Sequence, residues 1–175
     1  MKKKMNNKGF TLVELIVVLV ILAILAAILV PALLGYIDRA REQQIVLNGK
    51  SVLTAAQAEM SSIYGQSKYV ADSGDGTIAE AKIAAAIAKT SDVPKGAQFQ
   101  FATQDKQETG KKSEHKSYTV SYVKYKQDGK TIWYTGTTWV SDSNEVTEAN
   151  STNVYVSKVY KVGDNNAVTA ATTFE

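Results

Sequence analysis

Residues 9–34 read GFTLVELIVVLVILAILAAILVPALL, and the way this run meets water decides the fold. From Leu15 to Leu34 stand 20 residues with no charged or strongly polar side chain: seven Leu, four Ile, four Val, four Ala and Pro31. Twenty helical residues rise about 30 Å, the hydrocarbon thickness of a bilayer. Each Leu, Ile or Val at a helix centre favours insertion by about 0.3–0.6 kcal/mol, so the run as a whole gains roughly 4–9 kcal/mol. The opposing group is Glu14, at the edge, and even at a helix centre an acid costs only about 3 kcal/mol. Insertion wins.

The flanks decide orientation and fate. Lys2, Lys3, Lys4 and Lys8 precede the run, and no further Lys or Arg occurs until Arg39. A positive flank stays cytoplasmic, which places the rest of the chain outside. A cleaved secretory signal needs a small-residue site after a shorter apolar core. No A-x-A pair lies in residues 23–35, where Val30-Pro31-Ala32 is the sole passable substitute. A retained anchor is therefore expected.

Beyond the apolar run the helical pattern continues. Ile45, Gly49, Val52, Ala56, Met60 and Ile63 fall at spacings of three, four and seven, one apolar stripe. Residues 10 to about 63 thus predict a single helix of some 54 residues, roughly 80 Å long. Its first half is apolar all round and its second half amphipathic, as lipid followed by a globular core demands. Pro31 removes a backbone hydrogen bond and is expected to bend or loosen the helix locally.

Tyr64 to Gly76 reads as a break ending in Asp72-Ser73-Gly74-Asp75-Gly76, and Thr77–Lys89 as a helix through Ile78, Lys82, Ala85 and Lys89. Strand composition follows: Gln98–Thr103, then a polar loop Gln104–Lys116, then Ser117–Lys126 and Thr131–Val140 joined through Asp128-Gly129. That dipeptide between two Tyr-, Thr- and Val-rich runs is a strong hairpin signal. After the polar stretch Ser141–Asn153, a further strand is expected over Asn153–Val162. The predicted fold is α+β: a long N-terminal helix packed against an antiparallel sheet of about four strands.

Composition narrows the chemistry. The 175 residues include no Cys and a single His, His115, which exclude thiolate zinc sites, cysteine catalysis and any site needing two imidazoles. The net charge is +3, but removing the four leader lysines from 20 basic residues leaves 16 against 17 acids. A broad basic nucleic-acid surface is not expected. No phosphate loop, paired-acid site or nucleophile–base pair is present, so neither an enzyme nor a cofactor or metal is expected.

At Lys8-Gly9-Phe10-Thr11-Leu12-Val13-Glu14-Leu15 the sequence resembles the type IV pilin family, over about residues 2–40. The shared elements are a short basic leader, Gly9, Phe10 and Glu14 at the fifth position of the mature chain, before an apolar helix. The resemblance implies a leader at 1–9, a transmembrane and filament-core helix at 10–35 and a globular head at 36–175. It implies cleavage after Gly9 by a membrane-embedded prepilin peptidase, and N-methylation of Phe10 by the same peptidase/N-methyltransferase. Gly9, having no Cβ, suits close approach to a protease surface. Glu14 would pair with the Phe10 amine of an adjacent subunit; alternatively it is an acid favourably placed at a helix N-terminus. Pro31 fits the position at which the packed helix loosens.

The expected function is then a structural subunit, a major pilin, polymerised through its N-terminal helix into surface filaments for adhesion, motility or biofilm. The implied partners are further copies of the chain in a helical homopolymer, the peptidase, the pilus assembly platform with its ATPase, and membrane lipid before assembly. The chain would sit in the cytoplasmic membrane with its head outside, and in extracellular pili afterwards. Alternatives are a minor pilin, a pseudopilin of a secretion or competence system, or a tethered binding module that never polymerises. Absence of the C-terminal disulfide common in the family suggests a Gram-positive source.

Other signals read as ordinary structure. Asp72, Asp75 and Asp92 lack an EF-hand spacing and read as solvated turns. His115 reads as loop. Trp133, Trp139, Tyr118, Tyr122, Tyr125 and Tyr134 could stack on DNA but read as core and sheet-face packing. Asn150-Ser151-Thr152 has the glycosylation pattern without a known host to use it.

Overall fold

The computed structural model describes residues 9–70, 77–105, 114–141 and 155–174. Helix α1 spans Leu12–Gly65, 54 residues, and its helical backbone continues without interruption past Pro31. The chain falls into two units, residues 1–42 and 43–175. In the first, every described residue from Gly9 to Glu42 is exposed. Helix α1 is long and apolar enough to cross a membrane, with a mean hydropathy of 3.3 over its best 18-residue window. Among the described residues nothing buries that window.

The second unit has its own core. From Gln43 onward α1 buries Ile45, Gly49, Val52, Ala55, Ala56, Met60 and Ile63, the whole of the expected stripe with Ala55 added. Strands β1 (Tyr69–Val70) and β2 (Thr77–Ile78) form a short parallel pair. Helix α2 (Glu80–Ser91) leads into β3 (Gln98–Thr103), β4 (Val120–Gln127), β5 (Lys130–Tyr134), β6 (Trp139–Val140), β7 (Val159–Val162) and β8 (Val168–Ala171). These last six make one antiparallel sheet in the order β6-β5-β4-β3-β7-β8. Alternation along the strands sends Phe99, Phe101, Val123, Tyr125, Ile132 and Tyr160 into the core with α1 and α2. The other face carries a smaller cluster of Ala102, Tyr122 and Trp133.

Two devices set how closely helix and sheet approach. At Gly49 an added Cβ would lie 2.7 Å from Ile132 Cδ1 and 2.9 Å from a ring carbon of Trp139, so any larger residue there makes those side chains shift. Nearby, Asn48 Nδ2 donates to Gln127 Oε1 at 2.7 Å, and the fully buried Tyr125 hydroxyl donates to the same oxygen at 2.8 Å. The β4–β5 turn has Asp128 at φ 51° and Gly129 at φ 77°, the paired positive values of a type I′ hairpin.

A third device ties α2 to the C-terminal segment. Glu80 is buried at the first turn of α2, and its carboxylate accepts the Tyr160 hydroxyl at 2.8 Å, the Lys158 backbone N–H at 2.7 Å and the Tyr155 hydroxyl. A buried carboxylate without such donors would be strongly unfavourable.

The structure corrects several expectations. The sheet has six strands rather than about four, because β8 adds an edge and β6 is separate from β5. The run 131–140 splits at Thr135–Thr138, where Gly136 takes φ 90° and Thr135 N–H bonds to the Thr138 carbonyl at 3.1 Å. Among the described residues of 153–162, Val159–Val162 alone is regular strand. Ahead of it Ser157 is drawn sideways, its Oγ accepting the Phe101 N–H at 3.0 Å and donating to the Lys158 carbonyl at 2.9 Å. Ser117 and Tyr118 belong to a 3-10 turn, His115–Tyr118, rather than to a strand. The second helix has the expected period but a different phase. Ile78 lies in β2, Lys82 and Lys89 are exposed, and Ile83, Ala84, Ile87 and Ala88 face the core. The break sequence 72–76, most of the loop 104–116 and the polar stretch 142–153 lie outside the described residues.

Replacing Gly49 with Val should destabilise the head by about 1–3 kcal/mol through overpacking against Ile132 and Trp139. Glu80→Ala should cost roughly 3 kcal/mol, since it strands two tyrosine hydroxyls and a backbone N–H. Denaturant unfolding of the detergent-solubilised chain, followed by near-ultraviolet circular dichroism, measures both.

Candidate processing and assembly motif

The N-terminal motif is built from the start of α1. Gly9 and Phe10 precede the helix in non-helical backbone. At Gly9 no atom of the described residues beyond its chain neighbours lies within 4 Å of where a Cβ would sit, and Phe10 is 84% exposed. The leader residues 1–8 lie outside the described residues.

Thr11 and Glu14 close the first turn on each other. Thr11 N–H donates to Glu14 Oε2 at 2.9 Å, Thr11 Oγ1 donates to the same oxygen at 2.7 Å, and Glu14 N–H donates to Thr11 Oγ1 at 3.3 Å. This is a reciprocal capping box, which satisfies backbone donors that a helix start leaves open. Glu14 stands out in the sequence as an acid beside an apolar run and Thr11 does not, although T-x-x-E before an apolar run is the spacing of that motif. Only Oε2 is engaged; among the described residues Glu14 Oε1 accepts no hydrogen bond. One helix-capping oxygen and one open oxygen leave room for both expected roles of Glu14.

Pro31 lies inside α1, between residues that are exposed on all sides. The remaining sequence candidates scatter. Asp92 caps the C-terminus of α2 in the left-handed region at φ 48°, its N–H bonded to the Ala88 carbonyl at 3.2 Å. Asp72, Asp75 and the Asn150-Ser151-Thr152 tripeptide lie outside the described residues. Among the described residues no three His, Asp or Glu side chains gather as a metal site would require. His115 is exposed in its 3-10 turn, where its carbonyl accepts the Thr119 hydroxyl at 3.0 Å.

The aromatic residues divide between the two faces of the sheet. Tyr118 and Tyr125 are core, Tyr134 and Trp139 pack against it, and Tyr122 and Trp133 are buried on the other face. They do not form an exposed stacking row. An open groove of about 450 Å³ lies between α1 and the sheet, with Leu53, Gln57, Ser121 and Tyr134 in its walls. Gln57 is already committed there, its Oε1 accepting the Val120 N–H at 2.8 Å and its Nε2 donating to the Tyr118 carbonyl at 3.1 Å.

The chain matches the family model for the prokaryotic N-terminal methylation motif over residues 4–30. No curated protein and no solved structure matches it. The match covers the end of the leader, the Gly9–Glu14 motif and most of the apolar run, and leaves the head aside. The N-terminus is thus similar to an N-terminal methylation motif of the type IV pilin-like kind, consistent with a membrane or pilus location. A Gram-positive source has no support from it.

Proposed function

We propose that the chain is a filament-forming pilin, a major subunit of a type IV pilus, cleaved after Gly9 and N-methylated on Phe10. The observation that carries this reading is the first unit of α1. Among the described residues the stretch from Leu15 to Leu34 is exposed on every face, and it is headed by an acid whose second carboxylate oxygen accepts no hydrogen bond. An apolar surface of that extent does not persist in water. Lipid covers it before assembly, and other copies of the same helix cover it afterwards. Residues 1–9 are the leader, 10–35 the membrane and filament-core segment, and 36–175 the head.

In this reading Glu14 Oε2 stays on its own Thr11 while Oε1 receives the Phe10 amine of a neighbour. A subunit out of register leaves both charges unpaired in an apolar surround, which makes the pair selective. Pro31, lacking an N–H, marks where the packed helix loosens. The peptidase/N-methyltransferase, the assembly platform and its ATPase are the partners in processing and extrusion. A minor pilin or pseudopilin would share the motif and differ in abundance within the filament.

Two experiments test this. N-terminal sequencing and intact mass of the mature chain should show methylated Phe10 as the first residue; a chain beginning near Leu33 would remove the reading. Glu14→Ala should leave insertion and cleavage intact while filaments disappear, because each neighbour's amine then stays unpaired at about 3–5 kcal/mol. Thr11→Val removes the capping hydroxyl but keeps the carboxylate, so filaments should persist at reduced stability. Equal loss in Thr11→Val and Glu14→Ala, seen by electron microscopy of sheared cell-surface material, would mean that Glu14 acts only as a helix cap.

A further inference from the structure

Residues 9–63 hold two aromatic side chains, Phe10 and Tyr36, one at each end of the apolar run. Tyr36 follows Leu34 and Gly35, is 68% exposed, and its hydroxyl finds no hydrogen-bond partner among the described residues. In lipid such a ring settles where its body meets acyl chain and its hydroxyl meets water, which is the headgroup interface. Three positions on, Arg39 stands about 4.5 Å further along the helix axis, at the height of the lipid phosphates. It makes no ion pair among the described residues, whereas Arg41 lies 4.0 Å from Asp38. A free guanidinium above an aromatic ring is the order of groups that an outer headgroup layer accepts.

Helix α1 runs unbroken from this end to the other, so the depth of Tyr36 fixes the depth of Glu14. The two are 22 positions apart, about 33 Å of helix. Both side chains lean toward the helix N-terminus, which leaves their separation unchanged. The hydrocarbon layer between them is about 30 Å thick. Even an average tilt of about 20° leaves roughly 31 Å along the membrane normal, so both groups lie outside the layer at once.

We propose that Tyr36 is a positioning residue that sets the depth of α1 in the membrane. With its ring at the outer interface, the Glu14 carboxylate stands at the inner one, and the Gly9–Phe10 bond lies beyond it on the cytoplasmic side. The acid is therefore hydrated while the chain waits in lipid. It enters an apolar surround only on packing against other copies, so the cost of burying it falls at assembly, when a neighbour's amine is there to meet it. An apolar residue at 36 would extend the run through Ile37, and the helix would slide toward the cytoplasmic side by one or two positions, about 1.5–3 Å. This depth deepens the membrane reading proposed above and rests on it.

The chain has no cysteine, so single introduced ones report water access without background. In the full-length chain, cysteines placed one at a time at 33–37 and at 12–16 are reacted with a membrane-impermeant maleimide, the first set in intact cells and the second in inverted membrane vesicles. Labelling should begin between residues 34 and 37 on the outer side and should include 13 and exclude 16 on the inner side. In a Tyr36→Leu background both boundaries should move one or two positions toward the C-terminus, and Tyr36→Trp should return them to their native places. Protection of residue 13 in the native chain would put Glu14 in hydrocarbon and overturn the proposal. So would unmoved boundaries in Tyr36→Leu, or boundaries that move in opposite directions, the sign of a change in tilt alone. Labelling at every position would remove the membrane reading itself, whereas a protected stretch with the wrong limits removes the depth assignment alone.

Discussion

Twenty consecutive apolar side chains that nothing among the described residues buries are the constraint to which the rest of this protein answers. They cannot face water, so the chain must spend its existence in lipid or against something equally apolar. Everything polar near them is arranged to make that tolerable. Thr11 and Glu14 satisfy the open donors of the first turn among themselves. The first charges after the run, Asp38, Arg39, Arg41 and Glu42, come at the end of the lipid length. An acid at the head of such a run is a liability for a simple tether and an asset for a polymer, because a helix that packs against its own copies gains selectivity from a charge needing a particular neighbour.

The second unit solves the opposite problem. Here the same helix must bury one stripe, and it does so against a sheet whose central strands carry the bulky residues Phe99, Phe101, Val123 and Tyr125. Close approach is made possible by omitting a side chain at Gly49, under Ile132 and Trp139. Without cysteine, the C-terminal segment is held by polar ties in place of a covalent staple. The Glu80 carboxylate collects Tyr155, Lys158 and Tyr160, and Ser157 bonds across to Phe101. Such ties are directional, and each leaves an unsatisfied group behind if broken. A cysteine-free head can be closed in this way, at sites far apart in sequence.

Charge is distributed accordingly. Past residue 35 the chain has 16 basic and 16 acidic side chains, and the ion pairs Arg41–Asp38 and Lys95–Asp164 are exposed. Exposed pairs of this kind contribute little to stability. The head depends on its apolar core and on buried hydrogen bonds, and its outer edge at β8 is conspicuous for carrying no charge at all.

The long helix, its membrane-length apolar half, its stripe from Ile45 to Ile63 and the Asp128-Gly129 hairpin are legible in the residues, because periodicity and turn chemistry are local properties that composition displays directly. The capping box is equally local, written as T-x-x-E at Thr11–Glu14, though the apolar run beside it draws attention to the acid alone. The phase of α2 is not legible: an Ala-rich helix has several faces of similar polarity, and the position of the sheet selects the one carrying Ile83 and Ile87. Nor do the residues show that Glu80 is buried, since its three donors arrive from about 75 to 80 positions away. Strand β8 lies in a neutral Thr- and Ala-rich run with no alternation to reveal it, and becomes a strand only because β7 offers a ladder to pair with. Local pattern determined the long helix and its two environments; long-range pairing, which no local pattern encodes, decided the width of the sheet, the burial of Glu80 and the edge left open.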